Sequence, residues 1–332
     1  MTIDDPRLVT AADIAAAATR IGRFVRQPAL IPADVDRPGG PLWIKPENLQ
    51  PTKAFKVRGA VNAVTLLAEG GRATRVVAHS SGNHAQAVAF AARRHGLRAT
   101  VVLPDTAPPL KVEAARAQGA EVIVVPPADR EAVALDLAAA DGAVLVSSDD
   151  PAVIAGHGTI GAEIARDLPD ARVVLAPVCN GGLLAGVAVA LKAADPSIRV
   201  VGVEPALAAD ASESLRLGRR TRWPVESTYR TMADGLRAPV LGPTAWPHIR
   251  ALVDDIVTVE EEDIAAAMSV LWETTGQVAE PSGAVAAAAY LFRRDALPTG
   301  TTVAILSGGT VAGPPVAVEQ SVRHDTAEAG SL

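Results

Sequence analysis

Lysine is scarce in this chain: of 31 basic residues only five are lysine, Lys45, Lys53, Lys56, Lys111 and Lys192, and the rest are arginine. Three of the five fall in the stretch Lys45-Pro46-Glu47-Asn48-Leu49-Gln50-Pro51-Thr52-Lys53-Ala54-Phe55-Lys56-Val57-Arg58-Gly59-Ala60. Amine chemistry is sought there first, because a desolvated lysine attacks carbonyls while arginine stays charged. Cysteine is nearly absent too. Cys179 stands alone, which excludes an intramolecular disulfide and fits a reducing compartment. There is no run of about 18 consecutive apolar residues, which argues against a membrane-spanning helix. A net charge of -6, with no basic run interleaved with aromatics, argues against a nucleic-acid partner. The acidic start Met1-Thr2-Ile3-Asp4-Asp5-Pro6-Arg7 lacks the basic and apolar blocks of a signal peptide, so a cytoplasmic protein is expected. No repeat of about 20 to 50 residues and no low-complexity segment beyond alanine-rich helices is present.

What is present is a pattern. With 332 residues, 49% hydrophobic and 20% charged, the chain reads as globular, with room for two domains or one large one. Thr10 to Asp13 resembles a capping box, and Ile14, Ala18, Ile21 and Val25 recur behind it at helical spacing. Residues 42–44 read as a short strand leading to the Lys56 stretch. Short apolar strands then alternate with helices: strands at 75–78, 99–103, 121–125 and 143–146, helices at 85–95, 110–118 and 130–140. The alternation resumes with helices at 160–167 and 183–194, strands at 172–176 and 198–203, a strand at 255–259, helices at 261–274 and 284–293, and a last strand at 302–306. Parallel strands need crossovers of this length, which predicts two parallel sheets covered on both faces. Residues 205–247, with Trp223, Pro224, Pro239 and Pro243, read as irregular, either a surface excursion or part of a site. The tail from Arg323 is expected to fray.

Four loops follow strands, where ligands sit in open α/β sheets. His79-Ser80-Ser81-Gly82-Asn83-His84 supplies hydroxyls, a glycine and an amide at a helix start, either an anion cradle or a serine-capped entry. Pro177 to Gly186 brings Gly181 and Gly182 to a helix N-terminus, which suits a phosphate; the glycines lack G-x-G-x-x-G spacing, so a dinucleotide is disfavoured. Glu204 and Asp210, with a carbonyl between them, either hold a hard cation such as Mg²⁺ or Ca²⁺ or complement a helix dipole. Ser307-Gly308-Gly309-Thr310 ends the last strand, where the serine either meets the far end of a ring or caps the turn.

Taken together, Asn48 to Thr52, Phe55 to Ala60, Ser80 to Ala87, the glycine loop, Ala233-Asp234-Gly235, Glu280-Pro281-Ser282-Gly283-Ala284 and Ser307 to Gly309 resemble the fold-type II pyridoxal phosphate enzymes. Within them the likeness is to the threonine dehydratase and serine racemase family, and it runs from about residue 10 to about residue 320. The resemblance implies a tryptophan synthase β-like α/β fold of two parallel-sheet domains: a large one of residues 1–53 plus 150–332, a small one of 54–149, and the cofactor in the cleft between. It implies that Lys56 holds pyridoxal 5'-phosphate covalently and later acts as base for the α-proton, and that Phe55 and Gly235 sandwich the ring. Asn83 meets the ring hydroxyl, with Glu280 grouped among the cofactor contacts. By the same resemblance Cys179, Asn180, Gly181, Gly182 and Leu183 are expected to cradle the phosphate, and Ser307 to face the pyridine nitrogen. The resemblance also implies that Ser80, Ser81, Gly82, Asn83 and His84 bind the substrate carboxylate. Ser81 stands where racemases carry a second proton donor and where many threonine dehydratases carry alanine. Glu204, Ala208 through its carbonyl, and Asp210 match the spacing of the divalent-cation site of racemase-like members.

Departures are visible. Cys179 and Asn180 replace the first glycines of the loop, and asparagine tolerates left-handed backbone better than cysteine does. Lys53-Ala54 replaces a usual Gly-Ser pair, adding a cation that either binds a substrate carboxylate or points to water. Thr310 stands where asparagine is common. The chain ends too soon for a regulatory domain, so feedback by isoleucine is not expected. The activity expected is dehydration of L-threonine or L-serine, by a homodimer as is common in the family, with serine racemase or 3-hydroxyaspartate dehydratase as rivals and a catalytically silent pyridoxal phosphate binder as the reading from another class.

Overall fold

The computed structural model describes residues 8–35, 38–71, 73–80 and 82–314. The expected frayed tail and the acidic start lie outside the described residues. Helix α1 (Ala11–Ile21) opens on a capping box in which Thr10 and Asp13 satisfy each other's backbone amides. Its buried stripe is Ile14, Ala17 and Ile21; the helix stops before Val25, which was expected to continue it.

Two parallel sheets follow, as the alternation predicts. The smaller is four-stranded in the order β5-β4-β3-β6, made of β3 (Arg75–His79), β4 (Arg98–Pro104), β5 (Glu121–Val125) and β6 (Ala143–Leu145). Helices α2 (Lys56–Glu69), α3 (Asn83–Arg94), α4 (Pro109–Ala117) and α5 (Arg130–Ala138) accompany it. Alternate strand residues divide between the two faces, as strand geometry requires. Val76, Ala78, Val101 and Leu103 join the α2 and α3 core, while Val77 and Val102 face α5.

The larger sheet is six-stranded in the order β1-β2-β10-β7-β8-β9. Its strands are β1 (Ile31–Ala33), β2 (Leu42–Pro46), β7 (Val173–Pro177), β8 (Arg199–Pro205), β9 (Asp255–Val259) and β10 (Thr302–Leu306). All neighbours are parallel except the edge pair β1 and β2. Val174, Ala176, Val200, Val303 and Ile305 pack under α6 (Pro151–Asp167), α7 (Gly182–Ala194) and α10 (Ala245–Leu252). Val173, Leu175, Val201, Val203, Ala304 and Leu306 pack under α11 (Glu261–Thr275) and α12 (Pro281–Phe292). The segment expected to be irregular contains α8 (Asp210–Leu217) and a single turn, α9 (Val225–Thr228), besides α10.

One charged cluster runs through this apolar frame. Arg58, on the first turn of α2, is fully buried and bonds Glu47 through Nε and Nη2 at 2.8 Å each. It also reaches Glu163 of α6 at 2.6 and 2.9 Å, and Lys45 Nζ lies 2.7 Å from the same Glu163. Two cations face two carboxylates, so the burial is charge-balanced.

Candidate active site

Helix α2 begins at Lys56 without a side-chain cap, so its entry is held by backbone contacts from elsewhere. Phe55 N–H donates to the Ser307 carbonyl at 3.0 Å and Gly309 N–H to the Lys53 carbonyl at 2.9 Å. Ala54 pairs with Gly308 as an isolated antiparallel bridge. The approach to Lys56 is thereby stitched to the turn leaving β10. Lys53 is the only non-glycine among the described residues with a positive φ, 55°. That geometry costs an L-residue roughly 1–2 kcal/mol, and it falls where the family resemblance leads one to expect glycine. The Lys53 side chain is exposed and does not line the cavity, so its charge goes to water.

A cavity of about 500 Å³ opens beyond the carboxyl ends of β3, β6, β7 and β10. Its size falls within the range of roughly 300–1,000 Å³ usual for ligand sites. Lys56 is half-buried at its wall, with Nζ 4.8 Å from the Phe55 ring centre. Burial holds the Lys56 ammonium below the ordinary lysine range, and Cys179 offsets this only in part. Burial likewise pushes the Cys179 thiol up, so the groups nearest the amine favour neutrality.

The phosphate-type loop stays in ordinary backbone geometry at Cys179 and Asn180, because left-handed φ is confined to Gly181 at 92°. A side chain at Gly181 would place Cβ 2.6 Å from Ile249 Cδ1. The cysteine substitution therefore carries no left-handed strain. Asn180 Nδ2 donates to Ser148 Oγ at 2.8 Å, and Gly242 N–H donates to the Asn180 carbonyl at 2.8 Å. Asp149 secures the facing segment by accepting from Thr244 and Ala245 amides at 2.8 and 3.0 Å. Gly182 and Leu183 then open α7, which has no side-chain cap, and the first-turn amides of a helix suit an anion.

The remaining motifs interlock. Gly235 N–H donates to Ser282 Oγ at 2.8 Å, the Ser307 hydroxyl donates to the Ser282 carbonyl at 3.2 Å, and Glu280 N–H donates to the Gly308 carbonyl at 3.0 Å. Asn83 Nδ2 donates to Glu280 Oε1 at 2.5 Å, leaving Asn83 Oδ1 buried without a partner. Ser80 Oγ accepts from Gly82 N–H at 2.9 Å. Phe55, Lys56, Ser80, Asn83, His84, the 179–183 loop, Gly235, Glu280 and Ser307 all line the one cavity. Gly82 is not among the lining residues, and Ser81 lies outside the described residues.

Sequence reasoning missed several neighbours. His157 of α6 is fully buried, meets Phe55 edge-on at 4.7 Å, and makes no hydrogen bond of normal geometry at either ring nitrogen, with the Gly182 backbone as a polar neighbour. Tyr229 lies under two guanidiniums, Arg130 at 5.9 Å and Arg237 at 5.3 Å, and all three line the cavity. The expectation that residues 205–247 form part of a site was the only signal pointing there. Arg220 and Arg222 of that segment also line the cavity, so that with Arg130 and Arg237 four guanidiniums share its wall with the carboxylates of Glu131, Asp149, Asp234 and Glu280.

Glu204 and Asp210 lie apart from this cavity. Both are buried, as is Ala208. Glu204 accepts from the Ala211 and Ser212 amides at 3.2 and 2.8 Å, the helix-start role foreseen as one alternative. Burial and the Asp210 charge raise Glu204 well above the usual carboxylate range, and burial brings Asp210 up to about 7. Asp210 Oδ2 has no hydrogen-bond partner. No cluster of three or more His, Cys, Asp or Glu side chains suited to a metal is found among the described residues, so a cation here would rely on two carboxylates and a carbonyl.

His84 Nε2 lies 2.9 Å from the Val146 carbonyl, so that nitrogen carries the proton and Nδ1 is bare. Burial, then the Lys56 charge, lowers His84 to about 3 and His157 well below its ordinary value. Since both folded values lie below the unfolded one, their stabilisation is complete above the unfolded pKa and is lost as pH falls towards the folded pKa. Urea unfolding from about pH 7 to about pH 5 is expected to show a loss approaching 1.4 kcal/mol per pH unit for each histidine. His157→Gln is expected to make that slope shallower, and an unchanged slope contradicts the assignment.

The family model described as "Pyridoxal-phosphate dependent enzyme" matches residues 23–308. The L-threonine ammonia-lyase of Geobacter sulfurreducens is 43% identical over 297 residues, covering 88% of this chain and 73% of that protein. The serine racemase of Homo sapiens is 39% identical over 284 residues, covering 82% of each. Among solved structures, a threonine deaminase from T.th. matches with a TM-score of 0.86 at 42% identity, across 92% of this chain and 100% of that one. The matched region takes in both sheets and every residue lining the cavity, and the chain belongs to the fold-type II pyridoxal-phosphate dependent enzymes.

Proposed function

We propose that this chain is an ammonia-lyase converting L-threonine or L-serine to a 2-oxo acid and ammonia by α,β-elimination. The observation that carries it is the Lys56 amine, held below its ordinary pKa at the wall of a cavity that is also lined by a neutral serine, Ser307. The residues present fit the cofactor: α7 opens behind Gly181 with no side-chain cap on its first turn, and Asn83 Oδ1 is buried without a partner. Phe55 and Gly235 would flank the ring, Asn83 and Glu280 its hydroxyl, and Ser307 its nitrogen. Cys179, Asn180, Gly181, Gly182 and Leu183 would take the phosphate. Bound there, pyridoxal phosphate supplies an electron sink for the negative charge left at the α-carbon.

The protein's own part is placement and proton transfer. Ser80, Asn83 and His84, which line the cavity at the start of α3, hold the substrate carboxylate with hydroxyl and amide donors, and Gly82 shapes the turn that presents them. Lys56 Nζ takes the α-proton, which requires the neutral amine that burial favours. Ser307, being uncharged, does not enforce a proton on the ring nitrogen, so prompt loss of the β-hydroxyl is favoured over a long-lived anion. Ser81 is kept, from the sequence alone, as the proton donor a racemase needs on the opposite face.

We divide the chain into residues 1–53 with 150–332 and an inserted unit of 54–149, since all four strands of the smaller sheet fall within 75–145. We place it in the cytoplasm as a homodimer. In support, one cysteine excludes an internal disulfide, and no helix among the described residues is long and apolar enough to cross a membrane. Size measurement by light scattering checks the dimer; a monomeric mass contradicts it.

Incubation with L-threonine and L-serine is expected to release 2-oxo acid and ammonia in equal amounts, and Lys56→Ala is expected to abolish both. D-serine forming without oxo acid would replace the lyase by the racemase reading. Selective turnover of 3-hydroxyaspartate would replace it by that dehydratase. Bound cofactor with no turnover across a panel of hydroxyamino acids would favour the silent binder.

Glu204, Asp210 and the Ala208 carbonyl are proposed to hold Mg²⁺ or Ca²⁺, because the two carboxylates are buried and Asp210 Oδ2 has no hydrogen-bond partner. Either ion is expected to raise the melting midpoint at neutral pH. An equal rise in the Asp210→Asn protein contradicts the site.

A further inference from the structure

Lys111 drew no role from the sequence. It sits on α4, which packs on α3 and β5 of the smaller sheet, yet its amine is not used there. The residue is 2% exposed, and Nζ crosses to Asp234, donating to its two oxygens at 2.9 and 2.6 Å. The same Nζ lies 2.9 Å from Glu280 Oε2. Asp234 directly precedes Gly235, and Glu280 is the N-cap of α12, which packs on the larger sheet. One amine thus ties the helices of one sheet to two carboxylates beside the other.

The path of the side chain matters as much as its end. Gly82 has a φ of 153°, and a Cβ there would fall 2.4 Å from Lys111 Cδ and 2.8 Å from its Cβ. The lysine stem therefore fills the space a side chain would take beneath the turn that presents Ser80 and Asn83. From the far end, Glu280 carries the tie back, since its Oε1 accepts the Asn83 amide. Burial alone would lower the Lys111 pKa, but Glu280 and Asp234 outweigh it and hold the amine charged.

We propose that Lys111 is a positioning residue, a clamp across the cleft that supports the Gly82 turn with its stem and fixes the Asn83 amide through Glu280. The clamp rests on the assignment of the cavity as the cofactor and substrate site. Without the amine, Asp234 and Glu280 become two uncompensated buried carboxylates, and one must take up a proton or move towards water. A protonated Glu280 gains an O–H donor and accepts more weakly than a carboxylate, and the Asn83 amide loses its fixed orientation.

Lys111→Met keeps most of the stem and removes the amine; Lys111→Arg keeps the charge. Lys111→Met is expected to speed amide hydrogen exchange in α4 and in residues 80–84 of the unloaded protein. With the cofactor bound, its visible absorption band is expected to shift, and KM for L-threonine to rise about tenfold or more with a smaller change in kcat. Lys111→Arg is expected to recover most of the KM. A lower melting midpoint with band and KM unchanged is what a purely structural lysine predicts, and it overturns the proposal. Should Lys111→Met fail to fold, Lys111→Gln, which also removes the ammonium while keeping a polar end, is expected to shift KM in the same direction; no shift overturns the clamp. If the unaltered protein binds no pyridoxal phosphate, the cavity assignment fails on its own. Hydrogen exchange in the unloaded protein then decides the clamp separately, faster exchange supporting it and unchanged exchange overturning it.

Discussion

The first turn of α2 is gripped from three sides, and the site depends on that grip. Ahead of it, Phe55 N–H is bonded to the Ser307 carbonyl at the end of β10. Behind it, Arg58 is locked between Glu47 and Glu163. Beneath it, Gly59 lets His157 and Val153 of α6 approach so closely that a Cβ would fall 2.6 Å from both. A helix start with no side-chain cap of its own would fray. Here the frame fixes the backbone of Lys56, and the side chain alone is left to move. Stripping one partner from a buried ion cluster of this kind typically costs about 3–5 kcal/mol, which is a measure of how firmly the turn is held.

Two lysines near the cavity show how surroundings assign roles to one residue type. Lys56 is faced by groups that burial keeps neutral, namely His84, His157 and the Cys179 thiol, so its charged form is disfavoured. Lys111 is faced by two carboxylates and stays charged. The first can exchange a proton with a substrate; the second holds the cleft together. The division follows from where each countercharge sits.

Much of the fold was legible because parallel strands buried on both faces leave short apolar runs that stand out. The strands at 121–125, 255–259 and 302–306 form over the residues expected. Helix α6 starts at Pro151 instead of 160, although Asp150 as N-cap followed by proline was a readable start signal. The edge strand β1 was missed because three residues containing Pro32 show no period. The cofactor-type loops were legible as motifs, each being local. The ion clusters were not: Arg58 meets Glu163 at a separation of 105 residues, and Lys111 meets Asp234 at 123. Such pairs are brought together by topology, and nothing in local spacing announces them. Tyr229 and Arg130 escaped for the same reason, being far apart along the chain.

The central claim is that Lys56 carries pyridoxal phosphate in the cavity between the two sheets. Its most direct test is the absorption spectrum of the purified protein, followed by borohydride reduction and mass analysis of the peptides. A visible band that borohydride converts into a permanent adduct on the peptide containing Lys56 is the predicted result. A colourless protein that stays colourless when supplied with pyridoxal phosphate, or an adduct trapped on a different lysine, would contradict it.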